Sequence, residues 1–374
     1  MKFNRYALSD LATIKYGKNQ KKVLSESGNI PIYGTGGLMG YATTALYDKP
    51  SVLIGRKGTI GKVKYVEHPF WTVDTLFYTI INTDIVLPKY LYYVMSLIDL
   101  NNYNEGTTIP SLRTETLNRL EFDIPSLVEQ ETILSCLNPI DEKIALNNAI
   151  NNNLEQQAMA IFNNAIEQSK SVTYVELGSL ADVKGGKRLP KGANLMSIPN
   201  SHPYIRVRDL NDVVFASLSA NYEYVDDETQ KTISRYITTT DDVLISIVGT
   251  IGLTAIVDKS LNMANLTENC VKVTNLHGIS PEYLLLYLRS QHGSEEIKKG
   301  TVGAVQAKLP IKNIQALSVP LLPQSDLQSL NDTLKVLFNQ LSINVAESKC
   351  LTDIRDSLLP KLMSGELDVS NLDL

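Results

Sequence analysis

Leu8-Ser-Asp-Leu-Ala-Thr-Ile-Lys-Tyr-Gly-Lys18 returns, altered but in step, as Leu177-Gly-Ser-Leu-Ala-Asp-Val-Lys-Gly-Gly-Lys187. Further pairs follow in the same order. Val52-Leu-Ile54 with Gly58-Thr-Ile-Gly61 matches Val243-Leu-Ile245 with Gly249-Thr-Ile-Gly252, and Pro88-Lys-Tyr-Leu91 matches Pro281-Glu-Tyr-Leu284. Gly106-Thr107 matches Gly300-Thr301, and Leu120-Glu-Phe-Asp-Ile-Pro125 matches Gln315-Ala-Leu-Ser-Val-Pro320 in pattern. The chain is therefore one long unit written twice. The offset drifts from 169 to 195, so the second copy carries insertions, most of them between its first and second landmarks. A kept framework beside a divergent stretch is the pattern of a common scaffold with different recognition loops.

Each copy reads as α/β. Val52-Leu-Ile, Val63-Lys-Tyr-Val and Leu76-Phe-Tyr-Thr-Ile-Ile81 are short strands separated by turns. Pro88 to Leu97 and Pro281 to Arg289 are short helices, each opened by proline in its first turn. After each copy comes a helical segment at a constant offset of 197. Ile140, Ile144, Asn147, Asn151, Leu154, Ala158 and Ile161 form a heptad seam, and Leu337, Leu341, Asn344, Ser348, Leu351, Arg355 and Leu358 repeat it. Both seams are polar at the middle. A buried Asn there would fix register at a cost in stability; alternatively the middle is polar because it faces water. The recurrence of Asn at the same step favours the first reading. Pro139 is expected near the start of the first helix and Pro360 at the end of the second, leaving both interiors free of Gly and Pro. Rods of about 35–40 residues would be roughly 55–60 Å long and unstable alone in water. The expected fold is two repeated α/β domains separated by two long helices that form an antiparallel coiled coil. The boundaries are 1–127 for the first domain, 128–170 for the first helix, 171–323 for the second domain, and 324–374 for the second helix and tail.

Composition sets outer limits. The chain has 374 residues, 43% apolar and 20% charged, which fits a soluble multidomain protein and excludes collagen, wholesale disorder and a disulfide-rich miniprotein. No stretch approaches the roughly 18 apolar residues of a membrane span, and Met1-Lys2-Phe3-Asn4-Arg5 lacks a signal-peptide core. Cys136, Cys270 and Cys350 are odd in number and widely spaced, so neither a metal site nor a disulfide framework is expected and a reducing cytoplasm is the simplest home. Net charge is −5. The deficit sits in the helical segments: residues 1–127 hold 14 Lys+Arg against 11 Asp+Glu, and residues 171–323 hold 15 against 15.

Catalytic signals fail on inspection. Gly55-Arg-Lys-Gly-Thr-Ile-Gly61-Lys62 resembles a phosphate loop, but lacks the required upstream Gly and following Ser/Thr, and the second copy lacks the lysine. A strand-turn-strand hairpin with glycines at positive φ is the better account. Asn138-Pro139-Ile140 is not the Asn-Pro-Pro-aromatic loop of an adenine methyltransferase. His68, His202, His277 and His292 do not correspond between copies, which marks them as loop residues. No catalytic or metal-binding residue is assigned.

Basic clusters do recur at equivalent places. The first copy has Lys18, Lys21 and Lys22, then Arg56 and Lys57, then Lys62; the second has Lys187 and Arg188, then Arg206 and Arg208, then Lys298. Lys and Arg neutralise phosphates, and Arg reads base edges bidentately. Arg206 and Arg208 alternate along Tyr204-Ile-Arg-Val-Arg-Asp209, which would put both on one face of a strand. Gly36 would let backbone approach a partner, Thr107 and Thr108 would offer hydroxyls to phosphate, and Thr250 is the second copy's hairpin-turn hydroxyl. These fifteen residues are the candidate DNA-binding set.

Two α/β domains, each followed by a long helix, resemble the specificity subunit of type I restriction-modification enzymes. The similarity covers essentially the whole chain. It rests on Leu-Ala-x-x-Lys-x-Gly-Lys at the domain start, Gly-Thr-Ile-Gly, Ile-Pro-Ser-Leu-Val-Glu129-Gln130 leading into the first helix, and the tail Arg355-Asp-Ser-Leu-Leu-Pro360-Lys-Leu-Met-Ser-Gly365-Glu-Leu. The second helix departs from the pattern by opening with Pro323-Gln-Ser-Asp. The resemblance implies two target-recognition domains that each read half of an asymmetric, bipartite double-stranded DNA target. It implies helices that act as a ruler and dock two methyltransferase subunits through Ile140, Ile144, Asn147, Leu154, Leu337, Leu341, Asn344 and Leu351. Those subunits would bind S-adenosylmethionine and flip an adenine, restriction subunits using ATP and Mg would join, and this chain would supply specificity without chemistry in a prokaryotic cytoplasm. The other classes consistent with the residues are an enzyme acting on nucleic acid, and a stand-alone DNA binder or coiled-coil adaptor.

Overall fold

The structure is a computed structural model that describes residues 1–303 and 306–369. Its contacts divide the chain into two compact units: Met1–Leu146 with Glu347–Leu374, and Asn147–Ala346. Each unit holds one α/β domain and half of each long helix.

In the first unit, Ser51–Gly55 is buried along its whole length, as an unbroken apolar run requires. It lies in an antiparallel sheet ordered Ala12–Tyr16, Leu76–Ile81, Ser51–Gly55, Val63–Val66. A second sheet sets Ile30–Gly34 antiparallel to Gly37–Ala42 and parallel to Trp71–Thr72. Asn4–Ala7 and Glu121–Ile124 close the domain as an antiparallel pair. The helix Pro88–Ser96 buries Tyr90, Leu91, Tyr93 and Met95. These side chains share one core with Ile133 and Leu137 of the first long helix and Leu359 and Leu362 of the second.

The second unit repeats the plan. Thr173–Glu176 pairs with Ser318–Leu321. The main sheet runs Asp182–Gly185, Cys270–Thr274, Val243–Ser246, Thr254–Val257, and Pro203–Ile205 pairs antiparallel with Glu223–Tyr224 and parallel with Asn265–Leu266. The extra sequence sits where the offset drift puts it. Phe215–Ala216 adds a parallel edge strand and Asp227–Ile233 a short helix. After Pro281–Arg289 the chain forms the helix Gln291–Gly300 where the first copy has only the 3₁₀ turn Leu100–Tyr103. His292 lies on that helix, its ring edge-on to Tyr174; it is not the loop residue expected.

The long helices span Leu127–Gln168 and Gln324–Met363. Ser126 starts the first with a capping box: its N–H and hydroxyl donate to Glu129 at 2.9 Å. Gln130 then ties the helix to its domain, accepting from the Leu87 N–H and donating to the Ile85 and Pro125 carbonyls. The helix starts within one residue of the expected boundary, so Pro139, the thirteenth residue of Leu127–Gln168, lies well inside it, against the expectation that it sits near the start. In the first unit Asp141 meets Arg355 at 3.1 Å and Lys143 meets Glu347 at 3.2 Å, so the helices run antiparallel. In the second, Asn344 donates to Asn151 at 2.9 Å, both side chains buried; the polar seam centre fixes register and does not face water.

The heptad reading slips toward the domain end of the seam. Ile161 is 37% exposed while Phe162 is 2% exposed, and Phe338 is buried more completely than Leu337. From Asn151 the seam runs through Leu154 and Ala158 to Phe162, an eleven-residue spacing that keeps to the contact line of a straight α-helix where the heptad's next step, to Ile161, would leave it. Phe162 and Phe338 also serve the domain core, stacking edge-on against Tyr283 and Phe215.

Candidate nucleic-acid interface

The repeated Gly-Lys pair is a backbone strap. Gly17 N–H donates to Leu76 O and Lys18 N–H to Thr72 O, while Trp71 Nε1 donates to Lys18 O. A Cβ on Gly17 would overlap the Val73 carbonyl. In the second unit Gly186 donates to Cys270 O, Lys187 to Leu266 O, and Tyr204 Oη donates to Lys187 O; a Cβ on Gly186 would overlap the Thr267 carbonyl. Only glycine permits this approach. In both copies the strap sets the point at which the chain leaves the sheet with an exposed lysine, and Lys21 and Lys22 lie exposed on the turn that follows in the first.

A second strap joins the hairpin to the Gly-Thr loop. Gly58, at φ +85°, donates to Pro110 O, and Leu112 donates to Arg56 O at 2.9 Å. Gly249, at φ +79°, and the bond from Leu309 to Ile247 O at 3.0 Å repeat the arrangement. The loop carrying Thr107 and Thr108 is thus laid beside Arg56 and Lys57. A surface cavity of about 410 Å³ is lined there by Tyr16, Arg56, Lys57, Ser111 and Arg113. The Arg56 guanidinium sits 5.0 Å above the Tyr16 ring and donates to Asp74 O at 2.8 Å. A larger cavity, about 510 Å³, brings Gly36 and Lys62 together with Tyr33 and Lys64. The Lys64 ammonium lies 3.9 Å over the Tyr33 ring, and burial pulls its pKa below the ordinary lysine value.

The second domain presents its cations differently. Arg188 pairs with Glu268 at 2.8 Å. The strand predicted through Arg206 and Arg208 stops at Ile205; Val207–Leu210 is a 3₁₀ turn, closed by the Arg206 N–H donating to Asp209 at 2.7 Å. The two arginines converge nonetheless, because both bond Glu223 on the neighbouring strand. Lys187 lies 5.5 Å from the Tyr236 ring centre. Thr250 is exposed on the hairpin turn, its carbonyl accepting from Ser246 Oγ at 2.6 Å. Lys298 is exposed on Gln291–Gly300, whose Ile297 packs beside Gly252 of the same hairpin. Tyr16, Arg113, Glu223 and Glu268 were missed in the sequence. Arg113 has no basic counterpart in the second copy, where the residue after the equivalent Leu309 is Pro310, and the carboxylates carry no local signal, since Arg188 and Glu268 are 80 residues apart.

The seam residues named for partner docking point inward. Asn147, Leu341 and Asn344 are buried, and Ile140, Ile144, Leu154, Leu337 and Leu351 are half-buried. These side chains are therefore occupied mainly in pairing the two helices, with only the half-buried five retaining some exposed surface. Outward apolar positions exist instead: Val128, Leu146 and Ile150 on the first helix, and Val336, Ile343 and Ile354 on the second, with Val336 68% and Ile343 61% exposed.

Two copies of one scaffold, strapped alike and differing in the side chains they present, define a two-headed recognition protein. The family profile for the type I restriction modification DNA specificity domain matches residues 2–156 and 169–351. The chain belongs to this family and is a DNA sequence-specificity subunit. It is similar to the type I restriction enzyme MjaIX specificity subunit of Methanocaldococcus jannaschii, at 24% identity over 87% of this chain and 80% of that one. It is also similar to the HindI specificity subunit of Haemophilus influenzae, at 22% identity over 82% and 84%. The crystal structure of a type I restriction-modification S subunit from M. genitalium shares the fold, with a TM-score of 0.56, 18% identity and coverage of 97% and 96%. Among the described residues no helix is long and apolar enough to cross a membrane.

Proposed function

We propose that each α/β domain reads one half of an asymmetric, two-part double-stranded DNA target. The first domain would use Lys18, Lys21, Lys22, Gly36, Arg56, Lys57, Lys62, Thr107 and Thr108. The second would use Lys187, Arg188, Arg206, Arg208, Thr250 and Lys298. The length of the paired helices sets the number of base pairs left unread between the halves. Two methyltransferase subunits dock on the outward apolar positions of the helices, and restriction subunits join that assembly. S-adenosylmethionine, ATP and Mg belong to those partners; this chain contributes specificity and no chemistry, in a prokaryotic cytoplasm. The observation that carries the reading is the pair of backbone straps, present in both copies and followed by different exposed residues. Its test is domain exchange. Replacing residues 170–320 with those of a relative should change one half of the methylated motif and leave the other. A change in both halves would refute independent reading.

A further inference from the structure

The candidate arginines of the second domain are held differently from the candidate lysines. Lys18, Lys21, Lys22, Lys57 and Lys62 of the first domain are exposed and, among the described residues, carry no ion pair; of the second domain's candidate cations only Lys187 and Lys298 share that state. In the second domain Arg188 is held by Glu268 at 2.8 Å, and Arg206 and Arg208 share Glu223, with Arg208 at 3.1 Å and also 3.5 Å from Asp209. The charge count follows the same line, with an excess of Lys+Arg in residues 1–127 and balance in residues 171–323.

We propose that these lysines and arginines divide the electrostatic work. The free lysines, five in the first domain and Lys187 and Lys298 in the second, grip the phosphate backbone of any duplex, while Glu223 and Glu268 keep three arginines of the second from binding DNA until a matching site replaces the carboxylate. This rests on the reading of the chain as a DNA-specificity subunit. A lysine that neutralises a phosphate releases condensed counterions and contributes about −0.9 to the slope of log K against log salt. An arginine already paired must leave a carboxylate, which then collects a cation of its own, so the exchange contributes little to that slope. The guanidinium fork fits a carboxylate and a guanine edge in the same bidentate way. Glu223 and Glu268 are therefore positioning residues that favour specific over non-specific contact.

The test uses the complex purified with its methyltransferase subunits and two labelled duplexes, one random and one carrying the motif found by methylome sequencing. Affinities are measured between about 50 and 200 mM salt, the range in which phosphate contacts dominate the change. K21Q/K22Q/K57Q should weaken both duplexes alike and flatten the slope by about 2.7, the value for three phosphates. E223Q/E268Q should do the reverse: tighter random binding, a slope steeper by about 1 to 3, and a lower preference for the motif. E268Q alone leaves the Glu223 strand intact and frees Arg188, so it should steepen the slope by up to about 1. An E223Q/E268Q complex with unchanged slope and unchanged random affinity would overturn the proposal, as would a lysine variant that loses motif binding alone. A wild-type complex with no preference for its motif would sink the specificity reading itself, and this inference with it.

Discussion

The Asn151–Asn344 pair allows a sharp test of what holds the helix seam. Asn344 Nδ2 donates to Asn151 Oδ1 at 2.9 Å, and Gln340 Nε2 donates to Asn344 Oδ1 at 2.8 Å. Both Asn side chains are buried. Asn344→Ala removes the donor and leaves the buried Asn151 side-chain carbonyl without it, which should cost about 1–3 kcal/mol. In a cooperative unit of this size that corresponds to a fall in Tm of roughly 2–10 °C. Replacing both partners with leucine removes the stranded group altogether and fills the space with apolar volume, so N151L/N344L should match or exceed the wild type in stability. The Asn151→Leu and Asn344→Leu single variants should each be less stable than the double, with a coupling of about 1 kcal/mol or more. Denaturant and thermal melts of the four chains measure this directly. Additive single and double effects would show that the two amides do not act as a pair and that the hydrogen bond is incidental to the seam.

Two other perturbations test different parts of the same scaffold. Adding seven residues to both helices at facing points, after Asn151 and before Asn344, keeps the seam in phase and adds about 10 Å; at about 3.4 Å per base pair the unread gap in the methylated motif should widen by about three base pairs with both half-sites unchanged, and an active enzyme with the old gap would refute the ruler. Asp141 receives Tyr93, Arg355 at 3.1 Å and Lys89 at 3.2 Å; burial raises its pKa, but the Tyr93 and Arg355 bonds and the Lys89 charge outweigh burial and hold it below the ordinary carboxylate range. Its contribution is therefore complete above about pH 3.9, the unfolded value, and is lost as pH falls through the depressed folded value. D141N should cost about 1–2 kcal/mol at neutral pH, discounted for partial exposure, and nothing at low pH; an equal loss at both would assign the effect to packing.

The framework was legible because it repeats. Val52-Leu-Ile54, Pro88 and Pro281 each carry a local instruction, an unbroken apolar run or a proline that opens a helix, and the structure follows them at Ser51–Gly55, Pro88–Ser96 and Pro281–Arg289. Errors arose where a local pattern competed with a distant contact. Arg206 and Arg208 alternate like strand residues, yet Asp209 closes a turn on the Arg206 N–H and Glu223 gathers both guanidiniums from another strand. The heptad assigned Ile161 and Leu337 to the seam, while the α-helical period and the domain core selected Phe162 and Phe338.

The same contrast explains why this scaffold tolerates such different recognition surfaces. The elements that fix loop position are backbone bonds: Lys18 and Lys187 to the same strand, Leu112 and Leu309 to the residue before the hairpin turn. Backbone bonds do not depend on the side chains that the loops carry, apart from the glycines that let the chains approach. Arg56-Lys57 in one copy therefore becomes Ile247-Val248 in the other with the strap intact. Long insertions are also cheap at such sites, since closure entropy grows only with the logarithm of loop length. Asp227–Ile233 and its neighbours could enter the second copy without disturbing the sheet beneath them. A fold that fixes its loop anchors through main-chain atoms leaves nearly every exposed side chain on them available for reading sequence.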